Sequence, residues 1–571
     1  MSLTAALNAA ISGLRVNQAN VQLVSANVAH ANDPSYTKKT LVRESAVLGD
    51  NQIGGSLIAG YQSAVNVALR KQFETFSSRD GLNQTQLDYM SRIQNLLGAS
   101  SDSAALPKLM SDFNAAWQAF QTQPESAAAQ RQIIAIGDQL STEVRRLAVG
   151  VDDIDSDIQA DLGTSTTQLN DLLSQVFEAN LRIKSSDPKG TERLELTDQR
   201  DQLVREIAKL VDVRTVERDN GAIALITPAG LSLLDGAPAR FNFDGTHIVS
   251  LDSGVVVDGQ LREGKLKALL DLRADGTSAG LPASADPATE VIRKLRSQLD
   301  VIAAAFTGTG GVPPSFAAAY DGGTGSLRVS ASHATTVEAS ASTPQMGTVF
   351  LSGSLAEGDV FEVTVKGKTF SYTATQNDTN LDQIAQKLAA LVNADTTLGV
   401  TALNGIDSLQ LVGNTVGEKF TVVSSVNGQL PELKQGFFTG SDRYTFQINK
   451  DLAAGTQQLK KNSAPGVVTA IGSSERSFIA IGLSLTSVSY KGLMSGFIGT
   501  ASSNAKVVSD NAELSKETLQ MTEQRYLQDT GVNLDEELAN LQVLQNAYAA
   551  SARLITVIQT LFDTLQAAVS R

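Results

Sequence analysis

The chain has 571 residues, too many for one hydrophobic core, so several domains are expected. Hydrophobic residues make up 42% and aromatics only 5%, a balance that suits long polar helices better than an apolar ligand cavity. A net charge of −14 argues against a nucleic-acid partner, the absence of Cys excludes disulfides and thiol chemistry, and no apolar run is long enough to predict membrane insertion.

The first stretch carries Leu7, Leu14, Val21 and Val28 at every seventh position, with Ala10, Asn17 and Val24 three further on and Leu3 and Ile11 on the same face. This spacing predicts a helix with a heptad seam over residues 1–39. It lacks the cationic start and unbroken apolar core of a cleaved secretory signal. The cluster Asn32-Asp33-Pro34-Ser35-Tyr36 must end the helix. Residues 40–64, with Gly54-Gly55, read as a hairpin or extended linker. A helical domain follows over 65–212, in which Phe113, Trp117 and Phe120 fall on adjoining turns and read as core. Pro124 opens a very long helical region reaching about Lys184, and Asp187-Pro188 is a candidate N-cap and first-turn pair for the next helix.

Residues 213–260 read as a β-rich segment and 261–306 as helices. Composition then shifts to Gly, Ser, Thr and Val, which predicts a β-rich outer domain over 307–465 with a small β-α-β module inserted at 345–428. Residues 466–503 are a return connection, and 504–532 a helix of the helical domain. The last segment, 533–571, has a second seam: Leu534, Leu541, Tyr548, Ile555, Phe562 and Val569 at every seventh position, with Leu544, Ser551, Ile558 and Leu565 three beyond the middle four. Leu538 belongs to the same approach, and Asn533 with Glu536 can cap its start. Such a helix reaches about 55 Å and wants another helix beside it. Each terminal helix could pack on its own subunit or join an intersubunit coiled coil; periodicity leaves both open. The fold class is thus multidomain α+β: a long terminal α-helical coiled coil, a helical-bundle domain, and a β-rich outer domain.

Tests for chemistry are negative. His30, His247 and His333 offer no zinc-ligand spacing, and no Gly-x-Ser-x-Gly elbow exists. Asp153-Ile154-Asp155-Ser156-Asp157 starts like a calcium loop, but Ile158 and Thr164 occupy positions that need Gly and Glu. Gly308-Thr309-Gly310-Gly311 follows a helix and has Pro313 where a dinucleotide loop has Gly, so it reads as a linker. Lys38-Lys39 and Arg145-Arg146 are isolated basic pairs. No catalytic, cofactor-binding or metal site is expected.

Three ordered blocks resemble the flagellar axial proteins of bacteria (rod, hook and hook-associated). The first is Ser12-Gly13-Leu14, Ser25-Ala26-Asn27-Val28-Ala29-His30 and Asn32-Asp33-Pro34-Ser35-Tyr36, in which His30 replaces the family's Asn and Ser35 its Gly. The second comprises Asp198-Gln199-Arg200-Asp201-Gln202-Leu203 and Gly264-Lys265-Leu266-Lys267-Ala268-Leu269-Leu270-Asp271-Leu272-Arg273. The third is Gly531-Val532-Asn533-Leu534-Asp535-Glu536-Glu537-Leu538 with Asn546-Ala547-Tyr548-Ala549-Ala550-Ser551-Ala552-Arg553. The second and third blocks are similar to the hook-associated junction proteins within that family.

The resemblance implies a structural subunit of the flagellum at the hook–filament junction. It implies export without a cleaved signal through the type III apparatus to the extracellular flagellum. The implied partners are copies of itself in a ring or tube, hook protein below, hook-associated protein 3 above, and an export chaperone on the C-terminal helix. The expected assembly interface is Leu3, Leu7, Ile11, Leu14, Val21, Val24, Val28, Leu534, Leu538, Leu541, Leu544, Tyr548, Ile555, Ile558, Phe562, Leu565 and Val569. The terminal helices are expected to fray in the free monomer and to order on assembly. The competing readings are another axial protein, such as a hook or distal-rod subunit, and a filament-anchored adhesin or glycan-processing module.

Overall fold

The computed structural model describes residues 3–48, 52–99, 102–273, 286–307, 316–321, 331–337, 345–352, 355, 357–405, 408–415, 418–426, 436–440 and 442–569. The glycine cluster at 308–311 lies outside them. Contacts divide the chain into two compact units: residues 1–85, 161–268 and 511–571 form one, and 86–160 with 269–510 the other.

The first unit starts with α1 (Leu3–Ala29), then the antiparallel hairpin of β1 (Lys39–Leu48) and β2 (Gln52–Ser63). Four helices follow: α2 (Val67–Leu97), α3 (Leu106–Thr122), α4 (Ala127–Ser185) and α5 (Thr191–Leu210). Of these α3 belongs to the second unit, while α2 and α4 contribute to both. Asp187 does not cap α5. It closes a turn ahead of it, accepting from the Lys189 N–H at 3.0 Å, and Gly190 stands at the N-cap. Short strands β3 (Arg214–Glu217), β4 (Ile223–Ile226) and β5 (Ser232–Leu234) make one sheet, and β6 (Phe241–Phe243) with β7 (Ile248–Ser250) another.

The second unit contains most of α6 (Lys265–Arg273), α7 (Val291–Thr307) and α8 (Phe316–Asp321). Its core is aromatic. Trp117, fully buried, meets Phe120, Phe316, Tyr320 and Phe437 at ring centroids 5.6–6.1 Å apart, so the α3 aromatics are packing and not a ligand box. The inserted module has β8 (Ala331–Val337), β9 (Met346–Ser352), β10 (Val360–Val365), β11 (Lys368–Thr373), α9 (Leu381–Asn393), β12 (Val400–Gly405), β13 (Ser408–Gly413) and β14 (Val422–Val426). Its strands run in two sheets, β11-β10-β14 and β12-β13-β9-β8. One apolar cluster that includes Phe361, Val363, Ile384, Leu388, Leu409 and Leu411 joins them to α9. Asn380 caps α9 by accepting from the Gln383 N–H at 2.9 Å.

After β15 (Phe438–Thr439), β16 (Gln447–Ile448), α10 (Lys450–Ala453) and α11 (Ala464–Gly472), the hairpin of β17 (Arg476–Ala480) and β18 (Leu483–Val488) leads into α12 (Tyr490–Thr530). This last helix starts well before Asn504. Gly492, Gly496 and Gly499 weaken the local helical pattern, but Leu493, Met494, Phe497 and Ile498 are buried and hold it. At Gly496 a Cβ would stand 2.6 Å from Leu485 Cδ1, so the glycine admits the hairpin. The chain ends in α13 (Leu534–Val569).

Candidate assembly interface

In the first unit α1 and α13, from opposite ends of the chain, pack side by side. Asn533 opens α13, its side chain accepting from the Asp535 N–H at 3.0 Å and the Glu536 N–H at 3.3 Å. The Glu536 carboxylate does not fold back to complete a capping box; it pairs with Lys38 instead.

On α1, Val24 is buried and Leu7, Ile11, Leu14, Val21 and Val28 are half-buried, while Leu3 lies in the first turn. On α13, Leu544 and Ile558 are buried, and Leu541, Ser551 and Ile555 half-buried along the same seam. The polar member Ser551 donates to the Ala547 carbonyl at 2.8 Å, so it leaves no unmet donor. Leu534, Leu538, Tyr548, Phe562 and Leu565 are exposed, and Val569 lies in the last turn. The structure therefore brings together part of the expected set and leaves Leu534, Leu538, Tyr548, Phe562 and Leu565 on the surface. Val16 and Leu23 of α1 are buried although neither falls on the expected seam.

The other side of α1 faces the hairpin. The Ser12 hydroxyl accepts from the Ser56 N–H at 3.1 Å, and at Gly55 (φ +144°) a Cβ would stand 2.2 Å from that oxygen. With one side on α13 and the other on β2, α1 has no exposed large apolar side chain among its described side chains.

α13 is different. Val543, Leu554, Val557 and Leu561 are 49–65% exposed. Together with Ala547, Ala550, Thr564 and Ala568 they form a second stripe at alternating steps of four and three, occupying g and c positions beside the a/d seam. Reading the same heptads one position out of phase would have found it.

At the base of the two helices the three signature blocks converge on one buried polar cluster. Glu537, 1% exposed, occupies the d position three residues after Leu534. Its carboxylate takes the Lys38 ammonium at 3.1 Å and the Asn27 side-chain N–H at 3.2 Å. Asn27, also 1% exposed, accepts from the Tyr36 hydroxyl at 2.8 Å and the Lys39 N–H at 3.2 Å, and donates to the Lys39 carbonyl at 3.0 Å. The Lys38 N–H reaches the last residue of α12, donating to the Thr530 carbonyl at 2.7 Å. From α5, Asp198 accepts the Thr37 hydroxyl at 2.6 Å and pairs with Lys39 at 3.2 Å. Lys39 also lies over the Tyr36 ring, 3.9 Å from its centroid.

Burial pushes the Tyr36 phenol up to about 12, with the charge of Asp198 adding to it. Burial also raises Asp198, against the hydrogen bond from Thr37 and the charge of Lys39. Desolvation alone would lower Lys38, but hydrogen bonds to Glu536 and Glu537 leave it raised, so the ammonium stays charged. The rest of the α5 motif is used nearby. Asp201 binds Arg70 of α2 at 3.2 Å, and Arg200 donates to the Gly221 carbonyl at 2.8 Å.

Ser35 does not adopt positive φ, the conformation for which glycine would be favoured. Its N–H and hydroxyl both donate to Asp33 Oδ1, at 2.9 and 2.6 Å, and this side-chain turn does the work. His30 stacks on Tyr36 at 4.8 Å. Among the described residues no group of three or more His, Cys, Asp or Glu could hold a metal ion, and no helix is long and apolar enough to cross a membrane.

The family model of the flagellar hook-associated protein FlgK helical domain matches residues 90–309, and that of the flagellar basal body rod FlgEFG protein C-terminal region matches 523–568. Both models describe flagellar axial proteins. Curated relatives named flagellar hook-associated protein 1 are 29% identical over 244 residues in Salmonella typhimurium and 26% identical over 241 residues in Bacillus subtilis. Over these segments the chain is similar to flagellar hook-associated protein 1. It matches less than half the length of these relatives: the Salmonella alignment takes in 42% of this chain and 44% of the relative, the Bacillus alignment 39% and 46%. The flagellar hook junction protein FlgK from Burkholderia pseudomallei aligns with a TM-score of 0.45 at 11% identity, over 80% of this chain and 99% of that one.

Proposed function

We propose that this chain is a non-catalytic subunit of the bacterial flagellum that forms the junction between hook and filament by polymerising through α1 and α13. The observation that carries this reading is the second apolar stripe of α13. A helix that lays Leu541, Leu544, Ile555 and Ile558 of its a/d seam along α1 and leaves its g/c stripe open has one partner and room for another. Covering the exposed half of Leu554, Val557 or Leu561 contributes about 1 kcal/mol each. That is too little per residue to order a chain end, but sufficient when several are covered at once. The second partner is a neighbouring copy, and repetition of the contact closes a ring or tube. Hook protein lies below it and hook-associated protein 3 above. An export chaperone covers α13 until the subunit has passed through the type III apparatus to the cell exterior. The distal turns of both terminal helices order as neighbours arrive.

The test is addition of purified protein to isolated hook ends, comparing the natural chain with a Leu541→Asp, Ile555→Asp double variant. The middle domains are expected to melt at an unchanged temperature while incorporation is abolished. Incorporation at the natural level would contradict the role of the seam.

A further inference from the structure

Glu537 is a charged residue in a position where the seam calls for an apolar one. A buried ion pair is seldom worth more than the apolar packing it replaces, while removing one partner of such a pair is costly. Polar residues at seam positions are best understood as specifying one arrangement at the expense of stability. Glu537 and Asn27 are 510 residues apart in sequence, yet they bind each other, and Lys38, whose ammonium pairs with Glu537, donates its N–H to the end of α12. Lys39 and Thr37, next along, are held by Asp198 of α5. The cluster thus ties the inner turns of both terminal helices to two helices of the folded unit. Starting a helix is its expensive step, since several residues must be fixed before the first hydrogen bond forms.

We propose that Glu537, Asn27 and Lys38 are a positioning site that holds and nucleates the α1–α13 pair in the free subunit. The turns nearest the body stand formed before any neighbour arrives, and order spreads outward from them. That the outward spread completes on contact with another copy rests on the assembly reading above; the anchoring itself does not. The Asn27, Lys38 and Glu537 side chains therefore act on assembly through the helices they aim, and no partner need touch them.

Hydrogen exchange by mass spectrometry on the full-length chain, kept monomeric and checked by sedimentation, tests this without hook or filament. In the natural chain, amides at 20–29 and 537–545 are expected to exchange about tenfold more slowly than those at 5–12 and 558–568. Glu537→Lys should erase that difference while protection in α4 and α5 is retained. Glu537→Gln keeps the shape and the Asn27 contact, and should retain part of the difference. Equal exchange at the inner and outer turns of the natural chain would overturn the proposal, as would inner-turn protection that Glu537→Lys leaves intact. Either result leaves the hook-end incorporation test to stand or fall by itself.

Discussion

Glu74 shows how a single buried carboxylate couples this fold to pH. It lies on α2, 3.9 Å from the Arg70 guanidinium, and accepts the Thr215 hydroxyl of β3 at 3.3 Å. Asp201 of α5 and Glu217 of β3 also share Arg70. Burial raises Glu74 from 4.5 to about 7, with Arg70 opposing and Asp201 adding to the rise. A carboxyl whose folded pKa exceeds its unfolded value binds a proton on folding. Its favourable contribution is complete below 4.5 and is lost as pH rises through 7. Glu74→Gln should therefore melt above the natural protein at pH 8, and the gap should close as pH falls to 5; thermal melts across that range check it. The residues of this cluster were visible in the sequence only as members of helical patterns, because their partners come from β3 and α5. Glu537 was hidden for a related reason. A charge at a d position reads as the end of a seam until Lys38, from the far end of the chain, is seen to pair with it.

At the scale of elements, α13 carries two apolar stripes with different surroundings. Leu541, Leu544, Ile555 and Ile558 face α1, whereas Val543, Leu554, Val557 and Leu561 face outward. Leu554→Asp with Leu561→Asp should therefore leave the α1–α13 pair formed, as judged by helical content and melting, yet block addition to hook ends. Loss of the pair in that variant would mean that the two stripes are not independent. The heptad spacing made the terminal helices legible in advance, since repeats sustained over three heptads in α1 and five in α13 have few alternative readings. The first half of α12 was not legible. Its glycines argue against a helix locally, and only the burial of Leu493, Met494, Phe497 and Ile498 decides the matter. Ser35 was legible in identity but not in conformation, because the turn depends on Asp33 rather than on positive φ.

For the whole molecule, the three sequence blocks that mark the family meet in one place. The turn after α1, the Asp198–Asp201 face of α5 and the start of α13 surround the same buried cluster at the base of the terminal helices. Sequence alone gave the order of these blocks but not their convergence, since nothing in their spacing says that Lys39 reaches Asp198. On this account the body holds the helix pair, and the pair's open stripe receives the next subunit. The most direct measurement is an image reconstruction of hook ends carrying the purified protein, at a resolution that separates helices. The account predicts α1 and α13 paired and innermost, with Val543, Leu554, Val557 and Leu561 lying against an adjacent copy. Terminal helices standing apart in solvent, without contact to other copies, would contradict it.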